Sequence, residues 1–205
     1  MTHLSRRAFV TAAAGSLLVS CGGHGDGVSA APSGGTHGTP RTSADPPNAA
    51  AAQRRSVPVR LRIPGIGVDT PVMRLGLAQD GTVQVPPITA HDQAGWYQNS
   101  PTPGQTGPSV ILGHVTVGAY GDGVFRRLDR LRRGDEISVR LENGTSAEFT
   151  VTSVRTVAKA EFPTKAVYGD VDRPELRLIT CGGPRTGDGY LDNVIVFAAS
   201  HTTRR

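Results

Sequence analysis

Apolar and polar residues alternate with a period of two in several short segments beyond residue 56, the spacing of a strand that is buried on one face. Segment 109–113 is instead continuously apolar, as in a central strand covered on both faces. The pattern predicts strands over residues 57–64, 68–72, 83–86, 109–113, 136–141, 147–157, 176–181 and 194–198. Seven or eight strands fit an all-β fold, a closed or nearly closed barrel without exposed edges.

One segment favours a helix. Phe125, Leu128 and Leu131 are spaced to cover one apolar face of a short helix over residues 124–131, and Gly134 follows as a stop. The composition otherwise supports the β prediction, because 26 glycines, 15 prolines and few aromatic residues suit many short strands joined by turns.

Residues 1–21 have the pattern of an export signal, with Arg6-Arg7 before a short apolar run. The arginine pair resembles a twin-arginine signal, and residues 18–21 resemble a bacterial lipobox ending in Cys21. We therefore expect a protein at the outer face of the cytoplasmic membrane, anchored by a lipid on Cys21. The alternative is an ordinary signal peptide with an incidental cysteine.

Residues 22–56 are rich in Gly, Ser, Ala, Thr and Pro and predict a flexible linker, because they offer too little apolar surface to fold. The folded domain is predicted over residues 57–199, with a tail at 200–205. His24 and His37 lie in the linker without a cluster of ligands, so neither a metal site nor a cofactor is predicted. The net charge of +5 comes from scattered arginines, which do not form a nucleic-acid-binding stripe.

Cys181 ends an apolar strand pattern and precedes Gly182-Gly183, which free the backbone for close approach of a substrate. This position suits a nucleophile, although a buried structural cysteine is the alternative. Each cysteine has its own local context, so no disulfide with Cys21 is predicted.

A cysteine nucleophile needs a partner that helps to form the thiolate. His114 is the best candidate, because it follows the central strand at a point where Gly113 suggests an accessible strand end. His91 lies in a polar turn and His201 in the charged tail, and both are weaker candidates. The alternative for His114 is a histidine of the core.

Three motifs taken in order resemble sortases, particularly the class F group of actinobacteria. They are Leu-Gly-His at 112–114, Leu-Ile-Thr-Cys-Gly-Gly at 178–183 and Tyr-Leu-Asp-Asn-Val-Ile-Val-Phe at 190–197. The resemblance covers nearly all of residues 57–199. It implies an eight-stranded β-barrel and a cysteine transpeptidase.

By that resemblance, Cys181 attacks a sorting signal similar to Leu-Pro-x-Thr-Gly on secreted proteins and forms a thioacyl enzyme. His114 protonates the leaving amine, and an amine of peptidoglycan or of a pilin subunit then releases the product. Two other functions stay open: a peptidase that resolves the thioester with water, and a catalytically silent lipoprotein that binds peptides.

The sequence departs from the family at the arginine that binds substrate and stabilises the oxyanion. The family places this arginine early on the strand after the cysteine, where this chain has Leu191 and Asn193. Arg185, in the following loop, is the preferred substitute, and Arg127 is the second choice.

Overall fold

The computed structural model describes residues 55–187 and 189–200. The predicted export signal, Cys21, most of the predicted linker and residues 201–205 of the predicted tail lie outside the described residues. None of the helices in the described segments is long and apolar enough to cross a bilayer.

Eight strands close into a barrel with the order β1-β2-β3-β4-β9-β10-β8-β7, and a small two-stranded sheet is formed by β5 and β6. The strands are β1 (Pro58–Ile63), β2 (Val68–Leu75), β3 (Ala94–Tyr97), β4 (Gly107–Leu112), β5 (Thr116–Val117), β6 (Gly121–Asp122), β7 (Glu136–Leu141), β8 (Ser146–Ala158), β9 (Pro174–Thr186) and β10 (Gly189–Ser200). The prediction of a closed, mostly β barrel with eight strands is confirmed.

One predicted strand is absent from the structure, and one strand of the barrel was not predicted. Residues 83–86 are not a strand, and of them only Val83 pairs, in an isolated bridge with Leu77. Pro86 and Pro87 cannot donate backbone hydrogen bonds to a sheet, which explains why the pairing stops. The eighth barrel strand is β3, which the pattern does not indicate because Gly95 replaces a large apolar residue and lies directly against the Leu75 side chain.

The predicted helix over residues 124–131 is also wrong. The segment forms turns and a 3-10 helix at Leu128–Arg130. The backbone N–H of Val124 donates to His91 and that of Phe125 donates to His114, so both bond to other loops and not along a helix. The predicted apolar face is nevertheless buried in the core. An α-helix that was not predicted, α1 (Thr164–Tyr168), lies between β8 and β9.

Apolar side chains pack on both faces of β4, β9 and β10. The inner cluster fills the barrel and includes Leu176, Leu178, Val194 and Val196. The outer cluster includes Val110, Ile179, Ile195 and Phe197, together with Val167 of α1. Because α1 and its flanking residues cover the outside of these strands, β4 can be continuously apolar. Alternate residues of each strand therefore belong to opposite faces.

The end of the predicted linker contacts the domain. The Arg55 guanidinium donates a hydrogen bond to the Gln98 carbonyl and lies 5.9 Å from the centroid of the Trp96 ring. The Ser56 hydroxyl accepts a hydrogen bond of 3.1 Å from the backbone N–H of Asn143. The last two residues of the predicted linker thus contact the barrel.

Candidate active site

The register of two parallel strands directs the segment of the predicted base toward the strand of the predicted nucleophile. Leu112, the last residue of β4, pairs with Ile179 of β9, and the N–H of Gly113 donates to the Ile179 carbonyl at 3.1 Å. His114 follows Leu112 by two residues, as Cys181 follows Ile179. If the register continued beyond β4, the two residues would face each other at the usual strand spacing of about 4.8 Å.

The Cys181 side chain belongs to the outer face of β9. Ile179 packs in the outer cluster, and strand alternation places Cys181, two positions later on the same strand, on the same side. An added Cβ at Gly113 would meet Phe125, a residue of the inner core. Cys181 and His114 are each half-buried, so they are held by the sheet and remain accessible to a substrate.

Cys181 does not end its strand, because β9 continues to Thr186. A bulge follows the cysteine, where Gly183 has a φ of 71° and a side chain would overlap the carboxylate of Asp192. At Gly182 an added Cβ would be 2.6 Å from a methyl carbon of Val194. Close packing and a positive φ therefore require these glycines, in addition to any need for space beside the thiol.

An open cavity of about 420 Å³ lies next to Cys181 at the end of the barrel. Thr180, whose buried hydroxyl has no hydrogen-bond partner among the described residues, lines it. Tyr190 also lines the cavity, and its hydroxyl is 2.7 Å from that of Thr116. Arg126 lines the cavity too and forms an ion pair with Asp122. Sequence reasoning missed these three contributors, because only the fold brings them near the cysteine.

The imidazole of His114 is fixed by the segment before β3. Its Nε2 lies 2.6 Å from the carbonyl oxygen of Pro86. A carbonyl oxygen can only accept, so Nε2 carries the hydrogen and Nδ1 is the nitrogen left for proton transfer. No hydrogen bond joins His114 to Cys181, and such contacts often tighten only when substrate binds.

The surroundings of His91 distinguish it from His114 as a candidate base. The His91 ring packs 5.5 Å from the Tyr120 ring, and its backbone carbonyl accepts from Val124. His201 lies outside the described residues. His114 is the histidine that follows β4, the strand next to β9, which carries Cys181.

Arg185 lies on β9 beyond the bulge that follows Cys181. On either side of the bulge, Gly182 pairs with Asp192 and Arg185 pairs with Tyr190, so β9 advances three residues while β10 advances two. The extra residue places Arg185 opposite Tyr190, which itself lines the cavity next to Cys181, but Arg185 is not among the residues that line this cavity. Its guanidinium lies 5.8 Å from the centroid of the Tyr190 ring. The second choice, Arg127, is exposed and is not among the residues that line the cavity beside Cys181.

Comparison with known proteins agrees with this fold. A family model described as "Sortase domain" matches residues 61–201, more than half of the chain. Comparison with the curated proteins gives no match.

Solved structures are similar over most of the chain, at identities that show the fold alone. Sortase C-1 from Actinomyces oris has a TM-score of 0.56 and 22% identity, covering 72% of this chain and 76% of that one. Sortase A from Corynebacterium diphtheriae has a TM-score of 0.56 and 23% identity, covering 72% and 61%. The Sortase D5 transpeptidase of Clostridium perfringens has a TM-score of 0.52 and 24% identity, covering 70% and 78%.

Proposed function

Because the chain belongs to the sortase family, whose members are cysteine transpeptidases, we propose that Cys181 is its nucleophile and His114 its general acid and base. One observation supports this assignment: the parallel pairing of β4 with β9 ends at Leu112 and Ile179, two residues before His114 and Cys181 respectively. A thiol and an imidazole in this relation are the minimum for thioester chemistry.

In the first half-reaction, the Cys181 thiolate attacks the scissile carbonyl carbon of a sorting signal and forms a C–S bond. The carbonyl π electrons move to oxygen, giving a tetrahedral oxyanion. When this intermediate collapses, the C–N bond breaks and protonated His114 gives its proton to the departing amine. The product is a thioester on Cys181 and a neutral imidazole.

In the second half-reaction, the amine of an acceptor forms a new C–N bond at the thioester carbon. His114 removes the proton of the attacking amine, and the C–S bond breaks to regenerate the thiolate. We propose an amine of peptidoglycan or of a pilin subunit as the acceptor. Water can take the same position, in which case the enzyme acts as a peptidase.

We also propose a class F-like enzyme that recognises a signal similar to Leu-Pro-x-Thr-Gly. The support is the resemblance of residues 112–114, 178–183 and 190–197 to that group. The pattern of residues 1–21 supports a further proposal of export and of a lipid on Cys21, with residues 22–56 as the spacer.

Incubation of residues 55–205 with a Leu-Pro-x-Thr-Gly peptide is expected to give a thioester on Cys181, because the half-buried thiol lies beside an open cavity. Intact-mass spectrometry should show the acyl adduct, and peptide mapping should place it on Cys181. Addition of triglycine should convert the adduct to a peptide extended by an amide bond.

The Cys181→Ala variant is the control and should show no adduct. Adduct formation that ends only in hydrolysis, with every amine tested, would identify the peptidase. A folded protein that forms no adduct with any sorting peptide would contradict the proposal and favour the silent binding lipoprotein.

The Arg185→Ala variant tests the hypothesis from the sequence that Arg185 stabilises the oxyanion. If Arg185 stabilised the oxyanion, its loss would lower the acylation rate by about 10²–10³-fold, the usual effect of removing such a donor. Because Arg185 is exposed and is not among the residues that line the cavity beside Cys181, we expect a change of less than about threefold. Single-turnover acylation, followed by mass spectrometry, measures the difference.

A further inference from the structure

Cys181 has a second neighbour across the sheet, on the side opposite to His114. In the antiparallel pairing of β9 with β10, Asn193 is the partner of Cys181, and Ile195 is the partner of Ile179. Directly paired residues have Cβ atoms about 4.5–5.5 Å apart. Cys181 of β9 and Asn193 of β10 are therefore directly opposed across the sheet, on the side of β9 away from β4.

The face of Asn193 follows from its own strand. Ile195 and Phe197 pack in the outer cluster, whereas Val194 and Val196 pack inside the barrel. Alternation places Asn193 on the outer face, the one that carries Cys181. The β9 bulge begins only after Gly182, so it leaves this part of the register unchanged.

The Asn193 side chain is available for a ligand. It is half-buried, and within the described ranges its carboxamide has no hydrogen-bond partner. A primary amide carries two N–H donors, which can be aimed at an oxygen that gains negative charge. The sheet already fixes the backbone of this residue, so little ordering is needed during the reaction.

Other donors near the cavity are less well placed. Arg126 is paired with Asp122, and Arg185 lies beyond the β9 bulge, with its guanidinium 5.8 Å from the centroid of the Tyr190 ring. Leu191, two residues before Asn193 and opposite the bulge, is half-exposed and has no donor on its side chain.

We propose that Asn193 is a catalytic residue that donates a hydrogen bond to the oxyanion formed when Cys181 attacks the peptide carbonyl. The neutral amide of Asn193 would then stabilise the oxyanion, a role for which the family uses a charged arginine. The inference rests on the proposed function, because it assigns a role in the same thioester chemistry. The hydrogen bond strengthens as charge develops on the oxygen and weakens when the intermediate collapses to the thioester.

The test compares the Asn193→Ala and Asn193→Asp variants with the wild type in single-turnover acylation by the sorting peptide. The alanine variant should acylate about 10²–10³-fold more slowly. The aspartate variant keeps the shape but replaces both donors with acceptors, so its loss should be at least as large. Because the contact is made only in the transition state, kcat and kcat/KM should fall together.

Alkylation of Cys181 by iodoacetamide forms no oxyanion and should stay within about threefold of the wild type in both variants. Asn99→Ala, the same substitution at an exposed asparagine, is the matched control and should acylate normally. Thermal unfolding checks that each variant is folded.

The outcomes distinguish this inference from the proposed function. If the wild type acylates and Asn193→Ala acylates within threefold of it, the role of Asn193 is overturned while the transpeptidase stands. If acylation and alkylation fall together, Asn193 acts on the thiol and the oxyanion role is also overturned. If the folded wild type forms no thioester with any sorting peptide, both proposals fail.

Discussion

Replacing His114 by glutamine is expected to lower kcat/KM for transpeptidation by about 10²–10⁴-fold, the usual contribution of a positioned acid and base. A glutamine amide can still donate to the Pro86 carbonyl, which His114 Nε2 contacts at 2.6 Å. It cannot exchange a proton with the leaving or attacking amine. The loss should therefore arise from proton transfer while the segment around Pro86 stays in place.

The His114→Ala variant allows a further check. With the ring removed from a half-buried position, added imidazole should restore part of the activity, whereas it should not rescue Cys181→Ala. His91→Gln is the matched control, because the His91 ring packs on Tyr120. Near-normal turnover by His114→Gln, or a large loss in His91→Gln, would move the proton-transfer role away from His114.

Much of the barrel could be predicted from the sequence, because burial on one face leaves an alternating pattern and burial on both faces leaves a continuous one. The strand at β7 has the bounds that its alternation predicts. The short strand β3 leaves no such pattern, since its Gly95 provides space for Leu75 of the neighbouring strand. The apolar spacing at Phe125 and Leu128 predicted burial correctly but helix wrongly, because the backbone bonds to other loops.

In the candidate active site, too, some residues could be predicted from local sequence and others could not. Cys181 and His114 could be selected from their local sequence, since each stands next to glycine beside an apolar strand. Asn193 could not be selected as the cross-strand neighbour of the thiol, because that relation depends on the register of two strands. The position of Arg185 depends on a single extra residue at the Gly183 bulge, which exchanges the two faces of the strand. Local sequence indicates the nucleophile and its base, whereas tertiary pairing decides which side chains surround them.

A buried charge network connects the active-site strand to α1. Arg177, which is 3% exposed, lies four residues before Cys181 on β9. Its Nη2 is 2.6 Å from a carboxylate oxygen of Glu175, and its Nε donates to the carbonyl of Ala166 in α1 at 3.2 Å. The guanidinium also lies 4.7 Å from the centroid of the Phe197 ring. One side chain thus joins β9, β10 and the helix that covers the outer cluster.

The Arg177→Ala variant is expected to lower the free energy of unfolding by about 3–5 kcal/mol, the usual cost of removing one partner of a buried ion pair. It removes the ion pair, the bond to Ala166 and the contact with Phe197 together. Chemical denaturation at pH 7 measures the change. Arg173→Ala is the matched control, because Arg173 contacts the same carboxylate at 2.7 Å from an exposed position and should cost at most about 1 kcal/mol.

The same pair predicts how stability depends on pH. Burial of Glu175 opposes its ionisation, but hydrogen bonds and charge from Arg173 and Arg177 outweigh burial and hold its pKa below the ordinary value. A lowered pKa in the folded state stabilises the fold above the unfolded value of about 4.3, and this contribution is lost as the pH falls through the folded pKa. The stability difference between the wild type and Glu175→Gln should therefore be constant near pH 7 and shrink below about pH 4.3. A difference that stays constant down to pH 3, or equal losses in the two arginine variants, would show that the network does not support the active-site strand in this way.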